Sequence, residues 1–190
     1  MKRILTMLAV AGLCVAAAKP GAAQTGTTLG VGLGITNPMG DWKDNTAYLG
    51  DKMGFNFGAG ASFGLGTAPV RLRVDASWTQ TSHATGVDGK TRLLGGMVSV
   101  VYPFATAGSI KPYVLAGLGI ASIKSTVPSV SVDTSKTALN FGGGAGIRFP
   151  MTSMSVFVEA RYLTAKAFDV TFAQLPITAG ISFPLGSKKR

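Results

Sequence analysis

The chain has 190 residues, 46% of them hydrophobic and only 14% charged, with 26 glycines and a net charge of +10. That length suits one domain, and beyond the N-terminus no uncharged apolar run reaches the ~18 residues that a membrane-crossing helix needs. The positive balance would admit nucleic acid or anionic lipid as a partner, but there is no basic helix and no aromatic-basic cluster, so nucleic acid is not expected.

The N-terminus reads as a secretory signal. Lys2 and Arg3 precede an apolar core over residues 4–18, and Gly21, Ala22 and Ala23 form a small-residue cleavage site. Residues 1–23 are therefore expected to be removed, leaving 24–190 as one mature domain. Cys14, the only cysteine, lies in the leader behind Leu13, where a lipoprotein site would want a small residue. The mature chain then has no disulfide and no thiol chemistry. Losing Lys2, Arg3 and Lys19 leaves 15 basic against 8 acidic residues, a net of +7.

Strands follow in order. In 27–35, Leu29, Val31, Leu33 and Ile35 alternate with Gly30, Gly32 and Gly34, which is the period of a strand with two different faces. Residues 37–52 are polar, with Pro38, Gly40 and Gly50, and read as a loop. The next strand, 53–66, is the most regular: Met53, Phe55, Phe57, Ala59, Ala61, Phe63 and Leu65 on one face, glycine, Asn56 and Ser62 on the other. A face exposed to water would carry Lys, Glu and Thr. A row of glycine signals close approach instead. Large side chains on one face and tiny ones on the other suit a narrow barrel whose outside sits in lipid.

The third strand, 70–79, sets Val70, Leu72, Val74, Ala76 and Trp78 against Arg71, Arg73, Asp75 and Ser77. A polar loop over 82–91 leads to strands at 92–104 and 112–123. A third polar loop, 124–136, is rich enough in Ser, Val and Thr to extend its strands beyond the membrane. Residues 138–149 turn Leu139, Phe141, Ala145, Ile147 and Phe149 outward against Asn140, Gly142, Gly144, Gly146 and Arg148. After a turn at Met151–Ser153, the strand 154–164 sets Val156, Val158, Ala160 and Tyr162 against Phe157, Glu159 and Arg161. A short loop at 166–169 precedes the last strand, 172–185.

Eight strands whose connections alternate long and short have the grammar of an all-β, eight-stranded antiparallel up-and-down transmembrane β-barrel, closed so that no edge meets lipid. Phe55, Phe57, Trp78, Phe141, Tyr162 and Phe172 then fall at the outer rim, and Phe63, Tyr102, Phe104, Phe149 and Phe183 at the periplasmic rim, as aromatic girdles. A soluble lipocalin-like binder is the structural rival. It would have to turn the Gly, Ser and Asn face inside out, giving a poor wet exterior.

Several stretches resemble the small eight-stranded outer-membrane barrels of the OmpA, Ail and opacity-protein type: Lys111-Pro112-Tyr113-Val114 opening an Ala-Gly-Leu-Gly run, the Gly142 to Gly146 strand, and Val158-Glu159-Ala160-Arg161-Tyr162. The resemblance spans about 27–185. It implies the outer membrane of a Gram-negative-type cell, a monomer, and outer-membrane lipids and lipopolysaccharide as surroundings. It further implies a role in envelope integrity or adhesion, with extracellular ligands met by the loops. Thr178, Gly180, Phe183 and Leu185 fit the signal by which the assembly machinery recognises this class, although here the chain runs on to Arg190.

For chemistry, Arg71, Arg73, Asp75, Glu159 and Arg161 face inward on strands that oppose one another across the lumen, so Arg73 could reach Glu159. Buried charges must be paired. Two readings stand: a structural plug of ion pairs, or the gate of a narrow porin-like channel for small solutes or ions. A lipid-modifying barrel enzyme would need a His working with Ser, Asp or Glu. The lone His83 reads as a solvated loop residue, with no acid nearer in sequence than Asp88. No catalytic residue, metal site or cofactor is expected.

Overall fold

A computed structural model describes residues 26–44, 50–65, 68–83, 88–127, 132–167 and 169–185. The leader and its cleavage site lie outside those residues. Eight strands occur in chain order: β1 (Thr27–Met39), β2 (Gly54–Gly64), β3 (Arg71–Ser82), β4 (Lys90–Pro103), β5 (Lys111–Val127), β6 (Val132–Pro150), β7 (Ser155–Ala167) and β8 (Val170–Leu185). A single helical turn, α1 (Asp41–Asp44), interrupts the first long connection. Every strand pairs antiparallel with its neighbours in sequence, and β1 pairs with β8 from Thr27↔Leu185 to Met39↔Ala173, so the sheet closes on itself.

The parity read from the sequence sets the faces. Leu33, Phe57, Leu118, Leu139 and Phe141 are all more than half exposed, and Phe55, Val98 and Ile147 also face out. So many large apolar side chains turned outward are more than a water-soluble monomer ordinarily exposes, and they fit hydrocarbon. Phe55 packs edge-on to Trp78 at 5.2 Å near the outer rim, and Tyr102 on Phe104 at 5.3 Å near the periplasmic rim.

Glycine on the inner face serves close approach. A Cβ built on Gly119 would stand 1.9 Å from the Gly96 carbonyl oxygen, and one on Gly180 only 2.5 Å from the Phe157 ring. The first keeps neighbouring strands together in a tightly curved wall, and the second makes a floor on which Phe157 lies inside the barrel. Larger residues at either position would push the wall apart, and overpacking of this sort costs about 1–3 kcal/mol.

Above the membrane the strands run on, as the Ser, Val and Thr content of the 124–136 segment allows. The 124–136 loop is largely absorbed into the β5–β6 hairpin, paired up to Val127↔Val132. The reason is a reversal of phase. Beyond Ala121 large apolar side chains appear on the inward face, at Ile123 and Val127, while the outward residues become polar: Ile123 is fully buried, whereas Lys124 is half-buried on the outer face. Water now surrounds the wall, so the pattern becomes that of a soluble barrel.

The interior top is filled accordingly. Trp42 of α1, Leu93, Ala121, Ile123, Ala165 and Ala167 form a buried cluster, with Phe172 and Ala138 packed against it. Phe172 therefore does not belong to the outer girdle expected of it. Its ring lies 5.6 Å from that of Trp42, inside the barrel, because it shares the inward parity of Thr178 and Gly180.

The candidate site in the lumen

β3 and β7 stand on opposite sides of an eight-stranded ring, and an interior of that size is just filled by side chains. Arg73 spans it. Its two terminal nitrogens donate to the two carboxylate oxygens of Glu159 at 2.8 and 2.9 Å, a bidentate fork, while its Nε donates to Asp75 at 2.9 Å. Arg161 completes a square: its Nε donates to Glu159 and its terminal nitrogens lie 3.3 and 3.4 Å from Asp75. Tyr113 adds a fourth donor to Glu159 at 2.8 Å. Glu159 is 3% exposed and Arg73 9%, so these charges are cut off from bulk water and depend on one another.

Arg71 stands outside the square, which corrects the ion-pair role expected of it. Its donors go to neutral oxygens: Ser62 Oγ at 2.9 Å, Thr28 Oγ1 at 3.0 Å and the Gly26 carbonyl at 2.6 Å. Two participants escaped the sequence reading. Tyr113 and Arg148 share inward parity with their glycine neighbours, and the Arg148 guanidinium lies 5.7 Å from the centre of the Tyr113 ring. Inward parity was the signal available for both. What hid them was that parity names a face and leaves the cross-lumen partner undetermined.

At β8, Thr178 and Gly180 face in while Phe183 and Leu185 are exposed on the lipid side. Thr178 donates to Asn56 Oδ1 at 2.8 Å.

A second polar cluster lies at the outer end. His83 is 6% exposed and not solvated, and its acid partner is Asp51, 32 positions away, rather than Asp88. Nδ1 of His83 lies 2.6 Å from Asp51 Oδ1, Trp42 Nε1 donates to Asp51 Oδ2 at 2.8 Å, and the Thr81 hydroxyl also donates to Asp51. Asp51 and His83 form an isolated bridge that ties the first long connection to the end of β3. His83 Nε2 is buried without a partner, pressed against Gly89.

Replacing Asp51 by alanine strands three donors, each at about 1–3 kcal/mol. The expected outcome is local release of the cap. In a Trp78→Phe background, Trp42 fluorescence should shift red and become open to iodide quenching, while Asp51→Asn, which keeps one acceptor oxygen, falls between.

Among the described residues no group of three or more His, Cys, Asp or Glu side chains could hold a metal.

Comparison with known proteins agrees with this architecture. The chain is 26% identical over 199 residues to the outer membrane protein PagN of Salmonella typhimurium, covering 88% of this chain and 83% of that one. Its fold matches Neisserial surface protein A with a TM-score of 0.64 at 19% identity, covering 83% of this chain and 96% of that one. It also matches Ail, the attachment invasion locus protein of Yersinia pestis, with a TM-score of 0.56 at 18% identity, over 83% and 98% of the two chains. The model of the outer membrane protein beta-barrel domain matches residues 5–183. With its closed ring of eight strands, its lipid-facing belt and that match over nearly its whole length, the chain belongs to the outer membrane protein beta-barrel domain family and resides in the Gram-negative outer membrane.

Proposed function

We propose that this protein is a monomeric, non-enzymatic barrel that strengthens the cell envelope and presents polar loops to the outside, its lumen closed by ion pairs. The observation that carries this reading is the bidentate Arg73–Glu159 fork spanning the lumen, braced by Asp75, Arg161 and Tyr113. The apolar cluster around Trp42 and Ile123 adds a second closure at the outer end. Above the belt, Thr134, Ser135, Lys136 and Thr137 are exposed on β6, a hydrophilic surface suited to an extracellular ligand or to lipopolysaccharide sugars. Residues 1–23 serve as the export leader in this reading, and Thr178, Gly180, Phe183 and Leu185 as the assembly signal. His83 spends Nδ1 on Asp51 and has Nε2 buried, which supports a structural rather than catalytic use.

Planar-bilayer recording of the purified barrel tests closure. A silent bilayer is expected. Steady conductance steps that change in size when Arg73 or Glu159 is replaced would favour the narrow channel, a reading that has in its support the cavity of about 90 Å³ beside the charged square.

A further inference from the structure

The lumen holds more positive charge than its ion pairs consume. Arg71, Arg73, Arg148 and Arg161 face inward against Asp75 and Glu159, an excess of two for this set, and Lys111, paired across the strands with Arg148, adds a further cation on the same face at the rim. Both carboxylates are already engaged by Arg73 and Arg161. Arg71 and Arg148 therefore form no ion pair of their own among the described residues, with Glu159 attracting Arg148 only at longer range, and the two arginines sit near enough to repel each other. No further acid is at hand on the periplasmic side. Of the eight acidic residues in the sequence, Asp41, Asp44, Asp51, Asp88, Asp133 and Asp169 belong to the outer connections and hairpin ends, leaving only Asp75 and Glu159.

Two buried polar atoms point to what this region lacks. Nε of Arg148 has no hydrogen-bond partner, and neither has Oγ of Ser182, a residue only 5% exposed. Both residues line the cavity of about 90 Å³, which runs from Thr28, Ser62 and Tyr113 to the charged square of Arg73, Asp75, Glu159 and Arg161, whose two carboxylates are already paired. A water occupies about 30 Å³ of liquid, so the space admits several waters or one tetrahedral oxyanion. Hydroxyl donors, an arginine fork and surplus positive charge in a partly enclosed lumen are the chemistry that holds phosphate.

We propose that the periplasmic half of the lumen is a phosphate-binding site, with Arg148 as its principal donor and Ser182 as a second donor, while Arg71, outside the cavity lining, adds positive charge within electrostatic reach of Arg148. The same chemistry serves a free phosphate ion or the headgroup of an inner-leaflet phospholipid reaching in from the rim. The site stands whether or not the barrel conducts.

NMR of the isotope-labelled full barrel in an uncharged detergent tests this directly. Inorganic phosphate, titrated against sodium chloride at matched ionic strength, should move the Arg148 side-chain Nε–H and the Ser182 amide saturably. Arg92, which donates to Gln80 on the outer part of the wall, should respond no more than it does to chloride. A second arm compares phosphatidylcholine nanodiscs with discs containing phosphatidylglycerol, without free phosphate. Shifts in the detergent titration identify the free ion, and shifts confined to the phosphatidylglycerol discs identify the headgroup. No saturable shift in either arm, or equal shifts with chloride, would mean the cavity holds water alone and would overturn the proposal. Arg148→Gln should weaken half-saturation about tenfold, the scale of one hydrogen bond to a charged group. A variant that folds and titrates like the parent also overturns it, and if Arg148→Gln fails to fold, the wild-type titration still decides.

Discussion

Glu159→Ala is expected to lower the unfolding free energy by about 3–5 kcal/mol, the usual cost of removing one partner from a buried ion pair. The size follows from what is left behind. Arg73 loses both arms of its fork, Arg161 loses its Nε acceptor and Tyr113 its hydroxyl acceptor, in a position where the carboxylate was 3% exposed. Two cations would then share Asp75 alone. The sign of the companion variant is the more informative test. Replacing both Glu159 by leucine and Arg73 by methionine removes the charges together and leaves Asp75 paired with Arg161, so it should cost clearly less than Glu159→Ala. Urea unfolding in phospholipid vesicles, followed by tryptophan fluorescence and by heat-modifiable gel mobility, measures both. A single variant no worse than the double would show that the charges are solvated in the lumen, and with that the ion-pair closure would fail.

The second large effect lies on the opposite face. Leu118 is 68% exposed and sits between Val98 and Phe141 in the middle of the belt. On a soluble protein, Leu→Arg at so open a position would fall within about ±0.5 kcal/mol. In lipid, an arginine at the bilayer midplane costs about 2–4 kcal/mol. Leu118→Arg should therefore be strongly destabilising in vesicles. Thr137→Arg, outward on the same sheet but above the belt, should be nearly neutral. Equal and small effects from both would remove the case for hydrocarbon around Leu118.

The wall of this barrel could be read residue by residue because lipid and crowding act on each position separately. Leu33 and Gly34, or Phe57 and Gly58, differ by one place in the chain and by a whole environment in space, and period-2 alternation records that difference directly. Strand number, closure and the lipid-facing belt all follow from it, as does the inward aim of Arg73 and Glu159. The strand ends were less legible. Once the outside is water, Ile123 and Val127 turn inward and Lys124 and Thr126 outward, so the same alternation continues in opposite phase; the segment's composition allows an extension, but its polar character alone leaves the facing of each residue unread.

Everything that depends on which residues meet across the ring had to wait for the tertiary structure. The inward parity of Arg71 and Arg73 is identical, yet one finds a carboxylate and the other only hydroxyls and carbonyls, because depth along the barrel and the stagger of the strands decide the partner. The same holds at the outer end, where Trp42, Asp51, Thr81 and His83 are scattered through two connections and a strand end and become one buried cluster only when the barrel closes. Face is a local property, carried by each residue's place in the alternation. Partnership is a property of the closed ring, and it comes into being with closure.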